Sequence, residues 1–278
     1  MQTLLTYARE IINLPAVIQD LGKHRELIWS LTRRDFLSRF RGSLGGIFWS
    51  ILQPFFMMII YTLVFSSFLQ VRFGISDSPY AFAVYLLCGL LPWTAFSESV
   101  TMSTGLIRGN TNLVKRVVFP LQILPVTMVL VSLLQQMIGL ILLLPLAWWV
   151  TGNLNWTLLL IPFVLIIQTL LYIGVSWFWA SLSVYLVDLK QITPLLITVG
   201  MFLTPIFYPA EIVPEWARFA VISLNPLASL INIYRQIILE GTFPDGYKLF
   251  SIVVTSLVVF LAGSFWFQHT KKGFADIL

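Results

Sequence analysis

Five of the nine residues from Arg33 to Arg41 are charged, four of them arginine, and then no charge occurs from Gly42 to Gln70. A small soluble domain has no place for an uncharged run of that length, because about 20 apolar residues already span a hydrocarbon core of roughly 30 Å. The boundary also sets a direction. Lys and Arg flanking a first span stay in the cytoplasm, so the chain is expected to begin inside and to cross outward near residue 47. Composition agrees, with 58% hydrophobic and 10% charged residues, where soluble chains carry about 25% charged.

The net charge of +5 and the pI near 9.4 do not indicate nucleic acid. The basic residues lie between apolar stretches, where setting orientation accounts for them. Residues 1–22 lack a long apolar core and carry Arg9, Glu10 and Asp20, so no secretory signal is expected. A single cysteine, Cys88, rules out an intrachain disulfide.

The pattern predicts an all-α membrane protein. Its six transmembrane helices are expected at about 47–69, 80–104, 120–150, 157–186, 191–208 and 249–267. Residues 1–46 form a cytoplasmic N-terminal segment, 47–268 the transmembrane domain, and 269–278 a cytoplasmic tail. In 23–45, Leu27, Ile28 and Leu31 share one arc and Phe36, Leu37, Phe40 and Leu44 another, which suggests a bent amphipathic helix at headgroup level. The plainer alternative is a solvated charged segment. Gly42, Gly46 and Ser50 recur every four residues, a spacing that lets another backbone come close or merely reflects how often membrane helices use small residues. Glu98 lies inside the second span, where a charge is costly. It pairs with a cytoplasmic-side Arg, caps a neighbouring helix, or sits near the interface at small cost.

Residues 70–79 read as a short outer loop, and 105–119 as an inner one with three basic residues and no acid. Trp148, Trp149 and Trp156 form an aromatic belt at the outer interface. Between Gln191 and Glu240 the apolar pattern is broken by Pro194, Pro205, Pro209, Pro214 and Asn225-Pro226. The pieces are too short to cross singly, so 211–240 is read as a re-entrant helical pair before the last span; a kinked seventh span is the alternative. Under the six-span reading, all Lys and Arg except Arg72, Arg218, Arg235 and Lys248 fall inside. Both termini are then cytoplasmic.

Several chemistries are absent from the sequence. Nothing matches the phosphate loop G-x-x-x-x-G-K-[ST]. No His/Cys/Asp/Glu cluster has metal-ligand spacing, and one Cys with two His gives no nucleophile–base pair. No span carries a relay of acids. What remains is a membrane pathway without an engine of its own, so that uphill movement requires a partner.

The segment Arg39-Phe40-Arg41-Gly42-Ser43-Leu44-Gly45-Gly46-Ile47-Phe48-Trp49-Ser50 with Pro54 resembles the start of ABC-2-type permeases of the polysaccharide-export branch. Leu90-Leu91-Pro92-Trp93, Phe96-Ser97-Glu98, Asn112-Leu113-Val114-Lys115-Arg116-Val117-Val118-Phe119-Pro120 and Asn225-Pro226 with Tyr234-Arg235 resemble it in the same order. The resemblance runs from about residue 30 to Ala275-Asp276. It implies an ABC-2, type V exporter-like fold and a homodimer in the cytoplasmic (inner) membrane. It implies two copies of a cytoplasmic ABC ATPase, which would bind ATP and Mg, this chain holding no cofactor or metal. It implies a lipid-linked polysaccharide substrate of the O-antigen, capsule or teichoic acid type. It further implies that 105–119 includes the coupling helix, with Arg108, Asn112, Leu113, Lys115 and Arg116 as candidates for the ATPase contact.

Two further groups follow from chemistry. Arg33, Arg34, Arg39 and Arg41 stand at the level of inner-leaflet phosphates, where guanidinium binds oxyanions in bidentate fashion. Collecting the lipid head is one role; setting topology is the other. Phe55, Phe56 and Tyr61 in span one, and Phe202, Phe207 and Tyr208 in span five, are channel-lining candidates whose rings would stack on sugars. The competing readings are an exporter of a small hydrophobic compound and a membrane scaffold without transport.

Overall fold

The computed structural model describes residues 14–68, 80–116, 119–153 and 155–278. The outer loop expected at 70–79 lies outside the described residues. Among those described, every regular element is helical. In chain order they are α1 (Leu14–Lys23), α2 (Arg25–Ser38), α3 (Trp49–Thr62), α4 (Ala81–Ser103), α5 (Leu106–Gly109), α6 (Thr111–Arg116), α7 (Ile123–Thr151), α8 (Ile161–Tyr185), α9 (Leu189–Leu203), α10 (Glu215–Arg218), α11 (Pro226–Arg235), α12 (Gly246–Thr270) and α13 (Phe274–Ile277).

Among the described residues, four helical stretches are long and apolar enough to cross a bilayer: Ala81–Ser103, Ile123–Thr151, Trp156–Tyr185 and Gly246–Ile277. Gly46–Thr62 and Leu189–Leu203 are shorter apolar helices, and Glu215–Ser223 with Pro226–Glu240 form a pair bent by 81°. The break in that pair is written in its residues. Asn225 Oδ1 accepts from the amides of Leu227 at 3.0 Å and Ala228 at 3.4 Å, and Pro226 occupies the first helical position where no amide is needed.

Side-chain contacts fix which helix ends lie together. At one end the Tyr80 ring is 4.9 Å from Trp149, and Trp156 stacks on Phe243. Thr157 Oγ1 donates to Ile237 O at 2.8 Å, and Tyr85 OH donates to Tyr208 O at 3.2 Å. At the other end Gly105 N–H donates to Ser183 Oγ at 2.9 Å, Tyr185 OH to Thr270 O at 3.0 Å, and Gln122 to Asp20. So α4, α8 and α12 run parallel to one another and α7 runs against them. The second arm of the bent pair finishes at the first of these ends, where Ile237 meets Thr157. The described ends of the chain, α1 and α13, share the opposite end.

The core is centred on α4, whose residues Ala81 to Leu90 are all buried. Helices α8 and α12 approach one another backbone to backbone. A Cβ on Gly263 would overlap the carbonyl of Gly174, and one on Gly174 would overlap the backbone of Val259 and Phe260. For Gly42, Gly46 and Ser50 the sequence left close approach and the mere frequency of small residues open. Gly42 and Gly46 have open space around them and φ of +80° and +50°, so they serve the turns that lead into α3.

The expected bend within 23–45 is also placed differently. The chain turns at His24, and α2 then runs unbroken to Ser38. Its buried stripe is Ile28, Thr32 and Phe36, and the helix packs against α7. Thr32 joins the two apolar arcs because its hydroxyl donates to Ile28 O at 2.7 Å, which lets a polar residue be buried without loss.

Candidate functional site

The four arginines of the N-terminal cluster do not form one patch. Arg33 and Arg41 are exposed. Arg34 is engaged by its neighbour, Nε to Asp35 Oδ1 at 2.8 Å. Arg39 reaches across to α4: Nη1 donates to Glu98 Oε1 at 2.5 Å, and Nη2 lies 2.8 Å from Met102 Sδ. Of the three readings of Glu98, the pairing with a basic residue at this end of the bundle is the one observed. Charge reversal is the test: Glu98→Arg should destabilise the junction of α2 and α3 with α4 by about 1 kcal/mol, the upper range for partly exposed pairs. The double variant Arg39→Glu with Glu98→Arg should restore thermal stability in a double-mutant cycle.

The loop between α4 and α7 turns at Gly105, whose φ is +75°. Arg108 points into the bundle. Its Nε donates to Ser183 O at 3.2 Å and its Nη2 to Val184 O at 2.6 Å, which satisfies the last carbonyls of α8 and sets a cation at that helix C-terminus. Ile107 is fully buried and Leu113 is half-buried against the core. Asn112 and Lys115 are exposed on α6, which ends at Arg116, and α13 packs against α6. The Arg116 side chain lies outside the described residues. The loop is therefore a platform fastened to α8 and buttressed by the tail, with a polar outer surface.

The aromatic candidates fall into two groups. Phe55 and Phe56 are exposed on α3, their ring centroids 6.3 Å apart, and Tyr61 is half-buried on the same helix. At the end of α9, Phe202 is 61% exposed and stacks on Phe207, while Tyr208 OH donates to Phe202 O at 2.8 Å.

Two polar constellations escaped the sequence reading. Arg235, only 4% exposed, sits on α11 with its guanidinium carbon 3.5 Å from the centre of the Tyr85 ring. It donates to Pro205 O at 2.8 Å and Ile206 O at 2.9 Å, tying the bent pair to α4 and to the chain leaving α9. Deeper in the bundle, Gln136, Gln168 and Tyr234 satisfy one another: Gln168 Nε2 donates to Gln136 Oε1 at 2.5 Å, and Tyr234 OH to Gln168 Oε1 at 2.7 Å. A lone Arg in the otherwise uncharged stretch 226–239 was the available signal for the first. The second joins three helices, and no local spacing announces it.

Residues 26–239 match the family described as ABC-2 type transporter. The O-antigen export system permease protein RfbA of Myxococcus xanthus is 32% identical over 261 residues, covering 94% of this chain and 98% of the relative. A protein of the same name from Klebsiella pneumoniae is 30% identical over 263 residues, with coverage of 93% and 97%. The polysialic acid transport protein KpsM of Escherichia coli is 25% identical over 248 residues, with coverage of 84% and 89%.

Proposed function

The chain belongs to the ABC-2 type transporter family, and on that basis we propose that it is the permease subunit of an ATP-driven exporter of a lipid-linked polysaccharide. The observation that carries the reading is the likeness to O-antigen export permeases along nearly the whole of both chains. The likeness to a polysialic acid transport protein widens the substrate class to surface polysaccharides.

In this reading the subunit is a conduit in the cytoplasmic membrane, not an enzyme. Two copies form the channel, and two ATPase subunits bind ATP and Mg and supply the work. Six crossings, with 211–240 re-entrant from outside, place both termini in the cytosol; the shared end of α1 and α13 supports that parity. The short helices Gly46–Thr62 and Leu189–Leu203 then serve as the first and fifth crossings, lining the path with Phe55, Phe56, Tyr61, Phe202, Phe207 and Tyr208. Arg33 and Arg41, free of the pairings that engage Arg34 and Arg39, are the better placed to meet lipid phosphate.

The platform at α5 and α6 is the seat for the ATPase. Because Arg108 fastens it to α8, a push on α6 moves α8 as well as α4 and α7. Replacing Lys115 and Arg116 with Glu should uncouple ATP hydrolysis from export, reducing surface polysaccharide at least as far as about tenfold while the chain still inserts. Co-purification with an ATPase subunit, and loss of surface polysaccharide when the gene is disrupted, test the function itself. Unchanged surface polysaccharide would refute it.

A further inference from the structure

We infer that the cleft between α3, α4 and α7 is a subsite for sugar hydroxyls, holding a saccharide unit of the cargo within a single subunit; the inference rests on the export reading above. The cleft measures about 520 Å³, within the range of small-ligand sites. Its position is unusual for its chemistry. Gln135 lies twelve residues into α7, roughly 18 Å from its start at 1.5 Å per residue. Polar groups at such depth face protein or water-filled space and not lipid.

The polarity of the lining specifies the ligand. Thr94 and Ser97 spend their hydroxyl protons on Leu91 O at 2.9 Å and Thr94 O at 3.0 Å. Their oxygens keep lone pairs to offer. Gln135 donates to Ser50 O at 2.7 Å through Nε2, and its Oε1 takes no part in that bond. Glu98 adds a carboxylate at the mouth, where it neutralises Arg39. The wall thus offers acceptors at Thr94, Ser97, Gln135 and Glu98 beside the amide donors of Gln53. A diphosphate, itself only an acceptor, would find its one cation already engaged. A molecule bearing many hydroxyls, each both donor and acceptor, matches, and the Phe40 ring that also borders the cleft offers an apolar face to the C–H side of a pyranose.

The experiment uses the complete transporter in the membranes of producing cells. A photo-crosslinking benzoylphenylalanine replaces Gln53, an exposed residue of α3 that borders the cleft, or, in a parallel strain, Phe202 on α9. After irradiation the purified adducts are stained for carbohydrate. The expected result is carbohydrate on the Gln53 adduct, falling about tenfold when Thr94→Trp fills the cleft. Thr94→Val, which keeps the shape and removes the acceptor, should give a smaller loss. A carbohydrate-free Gln53 adduct beside a positive Phe202 adduct overturns the inference and leaves the export reading standing. So does a positive Gln53 adduct that ignores both Thr94 variants. If disruption of the gene leaves surface carbohydrate unchanged, the export reading fails and the subsite falls with it.

Discussion

Gly263→Leu is expected to keep the chain from accumulating as a folded membrane protein. Any Cβ at Gly263 meets the carbonyl of Gly174, and the reciprocal substitution meets the backbone of Val259 and Phe260. Backbone cannot rotate aside as a side chain does, so α8 and α12 must separate. Separation strips contacts along the whole crossing, including the Trp177–Phe260 pair at 5.1 Å and the Phe178–Trp266 pair at 5.4 Å. Overpacking alone costs about 1–3 kcal/mol, and loss of this interface should carry it to the top of that range or beyond. Against a total stability of about 5–15 kcal/mol, that is a large fraction. Gly263→Ala should show a milder form of the same defect. Detergent-solubilised chain assayed by thermal unfolding and size-exclusion profile gives the measurement; a Leu variant with a native profile and melting temperature would show that the two helices do not meet in this way.

Arg235→Ala should have the second largest effect, and a more local one. Without the guanidinium, Pro205 O and Ile206 O lose their donors in a buried setting, at about 1–3 kcal/mol for each group left unsatisfied. The contact with the Tyr85 ring, worth about 2 kcal/mol when desolvated, is lost too. With each carbonyl at the low end of that range the total is about 4 kcal/mol, concentrated where α11 meets α4. The bent pair should then become sensitive to protease between Thr204 and Asp245 while the α8–α12 crossing stays intact. Arg235→Lys should recover only part of the loss, since an ammonium lacks the planar fork that reaches two carbonyls. Equal protease resistance in the Ala variant and the parent would exclude the clamp.

The two predictions also mark where sequence reasoning succeeds and where it stops. The charge-free run after Arg41 and the Asn225-Pro226 break are local, and each has a direct counterpart in an apolar helix or a capped helix start. The Arg39–Glu98 pair was half legible: the cost of a charge in a span demands a partner, but the identity of that partner depends on how α2 and α3 fold back against α4. Thr32 was passed over because a hydroxyl reads as polar until its own helix supplies an acceptor. Gly174 and Gly263 were missed because nothing in their spacing sets them apart, while the four-residue spacing of Gly42 and Gly46 signals close approach only when the residues are helical. The meeting of Gln136, Gln168 and Tyr234 depends on three helices whose register no single stretch encodes.

The two fastenings of α4 answer differently to their surroundings. Near its start, Arg235 is gripped by amide carbonyls and an aromatic ring, and burial keeps dissolved ions away from them. Near its finish, Arg39 relies on a carboxylate in partial contact with the medium, so concentrated electrolyte weakens the grip. A shift in conditions would thus loosen this helix at one extremity alone, making it a lever with a fixed fulcrum and a free arm.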